Sequence, residues 1–212
     1  MREAILDAAL ALADERGLDA VSMRAVAARV GVTPMALYPY VGNKAALLDG
    51  LVGRLLAELP VPDRRLDWRD RLMRMAYAGR DLARRHPATF GLVMSRPAVT
   101  PDAVRVVDAL YQALLDAGVP EPDVPRLERL VTTFVLGYVA SEVNGRFAPG
   151  SLSPRGRRAT LGPDELPGHH RLAKWLDQPA DWDAEFDADL RDLQRLIETV
   201  AAVGEANSRT GS

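Results

Sequence analysis

Residues 31–44 read GVTPMALYPYVGNK. The stretch holds two prolines, two glycines and two tyrosines, and no acidic residue. Its apolar positions are too irregular for a strand, and it is too punctuated for one long helix. The punctuation nevertheless has an order. Gly31 reads as the stop of a preceding helix. Thr33 can cap a new one, with Pro34 pre-organised in its first turn and Val32 placed for a hydrophobic staple. Gly42 and Asn43 then end that short helix and cap the next. Upstream, Ser22 is a good N-cap for a segment that turns Val26, Ala27 and Val30 to one side. Residues 22–40 therefore spell helix, tight glycine turn, short helix, which is the grammar of a helix-turn-helix. In that motif the second helix enters the major groove with its N-terminal residues at the base edges.

Charge supports this locally. Residues 20–48 contain no Asp or Glu, whereas Arg24, Arg29 and Lys44 lie within them. Residues 1–60 as a whole carry six basic and seven acidic side chains, so the signal is a gap in acid and not a basic domain. DNA affinity leans on phosphate neutralisation, so a single copy is expected to bind modestly.

Working outward, helical periodicity dominates and no convincing strand is found. Residues 2–16 place Ile5, Ala8, Ala9, Leu12 and Ala13 on one face and end at Gly17. A helix from Lys44 carries Leu47, Leu48, Leu51, Leu55 and Leu59 and stops at Pro60 and Pro62. The segment PVPDRR at 60–65 is the natural boundary, giving a domain at 1–59 and a larger one at 60–212. The latter reads as helices over about 68–85, 89–94, 101–117, 126–144 and 181–203, with a frayed tail from Gly204. Residues 147–168 are rich in Gly, Pro and Arg and read as a long mobile loop. The expected class is all-α: an N-terminal three-helix unit followed by a larger helical domain. The helix at 126–144 is apolar on nearly every side, so one face needs cover from outside its own domain.

Composition excludes several classes. The 212 residues contain no cysteine, which removes disulfide scaffolds, cysteine metal sites and thiol nucleophiles. No apolar run is long enough to span a bilayer and no secretory pattern opens the chain, so a cytoplasmic protein is expected. Of 27 basic residues only Lys44 and Lys174 are lysines, a bias that fits a GC-rich bacterial genome. No glycine-rich phosphate loop, nucleophile elbow or metal-spaced His/carboxylate set is present, so neither an enzyme nor a cofactor is expected. His169 and His170 lack a third ligand and read as a solvated pair. Arg155, Arg157 and Arg158 likewise read as a solvated cluster, and Arg29 as a solvated charge.

Residues 5–51, ILDAALALADERGLDAVSMRAVAARVGVTPMALYPYVGNKAALLDGL, resemble the DNA-binding domain of TetR-family transcriptional regulators. Residues from about 68 to 145 are similar, more loosely, to the C-terminal domain of the tetracycline-repressor subgroup, through WRDRL, ARRHP and LGYVASEV. The resemblance implies base contact by Arg24, which can fork onto guanine. It places Thr33, Pro34, Met35 and Ala36 at reading positions, where most lack donors and only thymine methyls remain for Met35 and Ala36. It places Tyr38 and Lys44 on phosphate, Lys44 at a helix N-terminus that favours an anion. Tyr40 stands where many members have histidine. Tyr38 and Tyr40 could equally be packing residues of a small core.

The resemblance further implies a homodimer, paired through the helix at 126–144 and the stripe Phe186, Leu190, Leu193, Ile197 and Val200. It implies a pocket for a small-molecule effector, with Met73, Tyr77, Phe90, Met94, Leu110, Leu114, Phe134 and Tyr138 as candidate lining. Tetracycline-binding members use a histidine at the end of the fourth helix, and Pro60 occupies that position here. The expected function is a ligand-responsive repressor released from a double-stranded DNA operator by a small molecule. The alternative is a small-molecule-binding protein with weak or vestigial DNA binding, since only Arg2 precedes Glu3 where many members carry a longer basic arm.

Overall fold

The computed structural model describes residues 1–96, 99–148 and 153–210, and among these no strand occurs. Helix α1 (Arg2–Arg16) packs on α2 (Met23–Val30). A 3-10 turn (Pro34–Leu37) runs directly into α3 (Tyr38–Val41), and α4 (Lys44–Leu56) follows. The larger part holds α5 (Trp68–Arg85), α6 (Pro87–Ser95), α7 (Pro101–Asp116) and α8 (Val124–Val143). After α8 come three short helices, α9 (Pro154–Thr160), α10 (Pro167–Arg171) and α11 (Ala173–Leu176), and the long α12 (Trp182–Thr210). Among the described residues no helix is long and apolar enough to cross a membrane.

The N-terminal unit closes over the residues its periodicity singles out. Ile5, Ala9 and Leu12 of α1, Val26 and Ala27 of α2, Leu37, Val41 and the Leu47–Leu51–Leu55 row of α4 are all buried together. Each such leucine contributes roughly 1.5–3 kcal/mol on leaving water. That core does not stop at the chain's break near residue 60. It continues into Leu82, Ala83, Phe90, Leu92, Ala103 and Val139 of the larger part. Gly53 of α4 makes this join possible: a Cβ there would lie 2.4 Å from the Thr100 side chain at the start of α7. Two further cores fill the larger part, one around Trp68, Leu114, Leu127 and Ile197, the other around Phe186 and Leu190.

Three expectations are corrected. The segment 147–168 is not a plain loop, because α9 lies within it and α10 begins at its end. Ser153 caps α9 by accepting from the Gly156 N–H at 3.3 Å, and Pro154 fits its first turn. Arg155 and Arg158 both pair with Asp177, which ties α9 to the chain beyond α11 and corrects the reading of Arg158 as solvated, while Arg155 and Arg157 stay exposed. Residues 149–152 of the segment lie outside the described residues. The helix expected to fray from Gly204 instead continues as α12 to Thr210.

Candidate nucleic-acid interface and ligand cavity

Local rules set the reading face. The Ser22 hydroxyl accepts from the Ala25 N–H at 3.2 Å and starts α2. Gly31, at φ 79 and ψ 31, ends it in the left-handed conformation that glycine adopts without a Cβ penalty. The N–H groups of Gly31 and Val32 both donate to the Ala27 carbonyl, at 2.9 and 3.0 Å. Thr33 holds the cap position with its backbone, its carbonyl accepting from the Ala36 N–H at 3.0 Å. Its side chain makes no cap bond, contrary to the sequence expectation, so the hydroxyl faces outward uncommitted. Pro39 does not interrupt the second helix, because it falls in the first turn of α3, where backbone donors lack intrahelical partners.

Leu37 and Val41, four residues apart, pin this helix to the core. The opposite side is open. Thr33, Pro34, Met35, Ala36, Tyr38 and Tyr40 are all exposed. Met35 is 74% exposed, Tyr38 45% and Tyr40 46%. The tyrosines are therefore not packing residues. Arg24 and Lys44 are exposed on the same unit and have no hydrogen-bond or ion-pair partner among the described residues. Lys44 opens α4 directly after Asn43, whose side chain accepts from the Ala46 N–H at 3.0 Å.

Arg29 behaves differently. It forks onto Glu15 of α1 with bonds of 2.7 and 2.5 Å, which corrects the view of it as a merely solvated charge. The hydrogen bond from Arg29 holds the Glu15 carboxyl below the usual range. Asp49, just beyond the acid-free window, is taken up by Arg96 at 2.5 Å. Two of the acids near this face are thus neutralised from within the fold.

The larger part contains a cavity of about 290 Å³, walled mostly by apolar side chains of α4, α5, α7, α8 and α12. Leu56, Leu59 and Pro60 at the far end of α4 form part of it. Arg96, Glu128, Thr132 and Gln194 are the polar side chains in its lining. Of the eight sequence candidates, Met73 and Leu110 line it. Phe90 and Leu114 are instead fully packed in the cores, and Met94 is 52% exposed.

Tyr77, Phe134 and Tyr138 join an aromatic cluster around Phe186, with Tyr138 and Phe186 centroids 4.8 Å apart. The cluster's role is to house Arg80, only 2% exposed, whose guanidinium lies 4.7 Å from the Phe186 ring. Arg80 donates to Glu142 at 2.7 and 3.0 Å and pairs with Asp183 at 2.8 Å. Burial pushes the Glu142 carboxyl up, but hydrogen bonds from Arg80 and Arg84 outweigh it and hold the group below the usual range. Burial also pushes the Tyr138 hydroxyl up to about 12, and that hydroxyl donates to the Trp182 carbonyl at 2.7 Å. Sequence reasoning missed Glu128 and Gln194. The available signal was Glu128 and Thr132 at i, i+4, which puts two polar side chains on one side of the helix.

One contact links the cavity to the start of α4, and a second set holds the far end of that helix. Arg96 lines the cavity and donates to the Ala45 carbonyl at 3.1 Å, one residue from Lys44. At the other end of α4, Glu58 receives a hydrogen bond from Arg85. His86 sets Nδ1 2.8 Å from Asp14 and Nε2 3.4 Å from Glu58, clamping α1 and the end of α4 to the α5–α6 corner.

Comparison with known proteins agrees with this layout. Residues 5–51 match the profile of bacterial regulatory proteins of the tetR family, and residues 60–165 that of the tetracyclin repressor-like C-terminal domain. The chain is 32% identical over 141 residues to the HTH-type transcriptional repressor DrrR1 of Streptomyces coeruleorubidus, covering 66% of this chain and 52% of that one. It thus spans about half the length of DrrR1. It is 33% identical over 169 residues to the tetracycline repressor protein class A of Escherichia coli, covering 75% of this chain and 74% of that one. The Streptomyces coelicolor protein ActR, solved in complex with actinorhodin, superposes with a TM-score of 0.82 at 23% identity, over 95% of this chain and 98% of that one.

Proposed function

The chain belongs to the tetR family of bacterial regulatory proteins, DNA-binding transcriptional regulators, and from that premise we propose that it is a homodimeric, cytoplasmic repressor released from its operator by a small molecule. The observation that carries the reading is the exposed surface of α2, α3 and the start of α4, where Arg24 and Lys44 stand unpaired among the described residues and Tyr38 and Tyr40 are exposed. A duplex supplies the phosphates and base edges those groups lack.

Arg24 forks onto a guanine. Thr33 and Tyr40 donate to base or phosphate, Met35 and Ala36 sit against thymine methyls, and Pro34 stands at a reading position without a donor. Tyr38 and Lys44 hold phosphates. With so few donors at the reading positions, DNA shape contributes part of the selectivity. Pairing with a second copy through α8 and α12 would present two readers to half-sites about 34–36 Å apart. Leu130 and Leu196, large apolar residues left exposed on those helices, support that pairing. The relatives are transcriptional regulators, and DrrR1 and the tetracycline repressor are named as repressors.

Release is read from α4. This helix has 13 residues and therefore spans roughly 20 Å. Lys44 stands at one end and the cavity-lining Leu56 at the other. A ligand that fills the cavity and prefers a shifted α4 lowers operator affinity by its differential binding. ActR, with its bound actinorhodin, supplies the precedent of a protein of this fold with a ligand. Selection of bound DNA from a random pool, read by sequencing, tests the proposal. A two-half-site consensus is expected. A pool that stays unenriched would overturn it.

A further inference from the structure

The cavity's uncompensated charge is negative, and it belongs to Glu128. Three half-buried carboxylates elsewhere in this fold each hold a cation: Asp49 has Arg96, Glu58 has Arg85 and Glu142 has Arg80. Glu128 is half-buried, lines the cavity and has no Arg, Lys or His within ion-pair distance among the described residues. Its Oε1 accepts from the Thr132 hydroxyl at 2.9 Å, and Oε2 has no partner among the described residues. Gln194 adds a second acceptor. Its Nε2 donates to the Arg69 carbonyl at 3.1 Å, a bond only the nitrogen can make, which fixes the amide and leaves Oε1 uncommitted. The charge of Arg96 is already matched by Asp49.

We propose that the effector is an apolar molecule bearing a protonated amine, with the ammonium held by Glu128 and Gln194 and the apolar body along α5, α7 and α8. This rests on the reading of the cavity as the effector site. The physical reason is complementarity of charge and hydrogen bonding between an ammonium and these acceptors. An ammonium brings donors for both uncommitted oxygens, whereas a neutral isostere brings one and an acid is repelled. The volume of about 290 Å³ sits at the small end of ligand sites, so the body is compact, of the size of two fused rings.

The test uses three probes of one shape: naphthylethylamine, naphthylethanol and naphthylacetate. Their binding to the full-length protein and to Glu128→Gln is measured by isothermal titration calorimetry. The amine is expected to bind the wild-type protein about tenfold tighter than the alcohol, or ~1.4 kcal/mol, and the acetate more weakly than either. In Glu128→Gln the amine should fall to the alcohol's level while the alcohol is unchanged, which also shows that the variant folds. Equal binding of amine and alcohol to the wild type, or a preference that survives Glu128→Gln, would overturn the assignment and leave the effector-site reading standing. Binding by none of the three would overturn the effector-site reading and this assignment with it.

Discussion

The reading face at residues 24–44 and the junction of α5, α8 and α12 are built from the same side chains, arginine and tyrosine, in opposite surroundings. At the junction, Arg80 is enclosed by Phe186 and Tyr138 and matched by Glu142 and Asp183. At the reading face, Arg24 and Lys44 are matched by nothing within the described residues, and Tyr38 and Tyr40 face outward. The difference lies in where acid is placed. Acid adjoining a cation makes it part of the scaffold. Acid withheld leaves it available to an external anion. Arg29 shows the rule inside the reading unit itself, since Glu15 makes it a strut between α1 and α2.

Breaking the junction should have the largest effect. Glu142→Ala strands most of the charge of a 2%-exposed Arg80 and should cost about 3 kcal/mol, read by urea unfolding. A loss under about 1 kcal/mol would mean that Asp183 alone suffices. Breaking the reading face should leave the fold intact. Arg24→Ala should weaken operator binding by about 2 kcal/mol, roughly thirtyfold, with an unchanged unfolding curve. Loss of stability instead would make Arg24 a scaffold residue.

Protonation offers a gentler version of the first test. The folded carboxyl of Glu142 lies below its ordinary 4.5. Its contribution to stability is therefore fully present above that value and is lost as pH falls through the folded pKa. Unfolding free energy measured from pH 7 to 3 should fall less steeply in Glu142→Gln than in the wild type. Smallest of all should be Arg29→Ala, at about 0.5 kcal/mol of stability, because its pair with Glu15 is exposed. Operator affinity should not change, since Arg29 is already matched.

The helices were legible because their apolar spacing and caps are local properties: Ser22, Gly31 and Asn43 do what their positions predict. The exposed face at residues 24–44 was legible for the same reason, being contiguous in sequence and marked by missing acid. The cavity was legible only at Met73 and Leu110, because Glu128 on α8 and Gln194 on α12 reach it only through tertiary packing. Aromatics such as Tyr77 and Phe134 matched a pocket pattern equally well, but the demand of buried Arg80 for cover drew the cluster away from the cavity. In 147–168, glycine and proline suggested loop, while Ser153 as a cap and Asp177 as an anchor, 24 positions apart, form α9 and hold it.

On the proposed function, withheld acid makes residues 24–44 a phosphate and base reader. The most direct measurement is the salt dependence of binding to the selected operator by fluorescence anisotropy, for the wild type and Lys44→Ala. Each lost phosphate contact should reduce the slope of log affinity against log salt by about 0.9, with the fold unchanged. A slope identical in the two proteins would contradict the account.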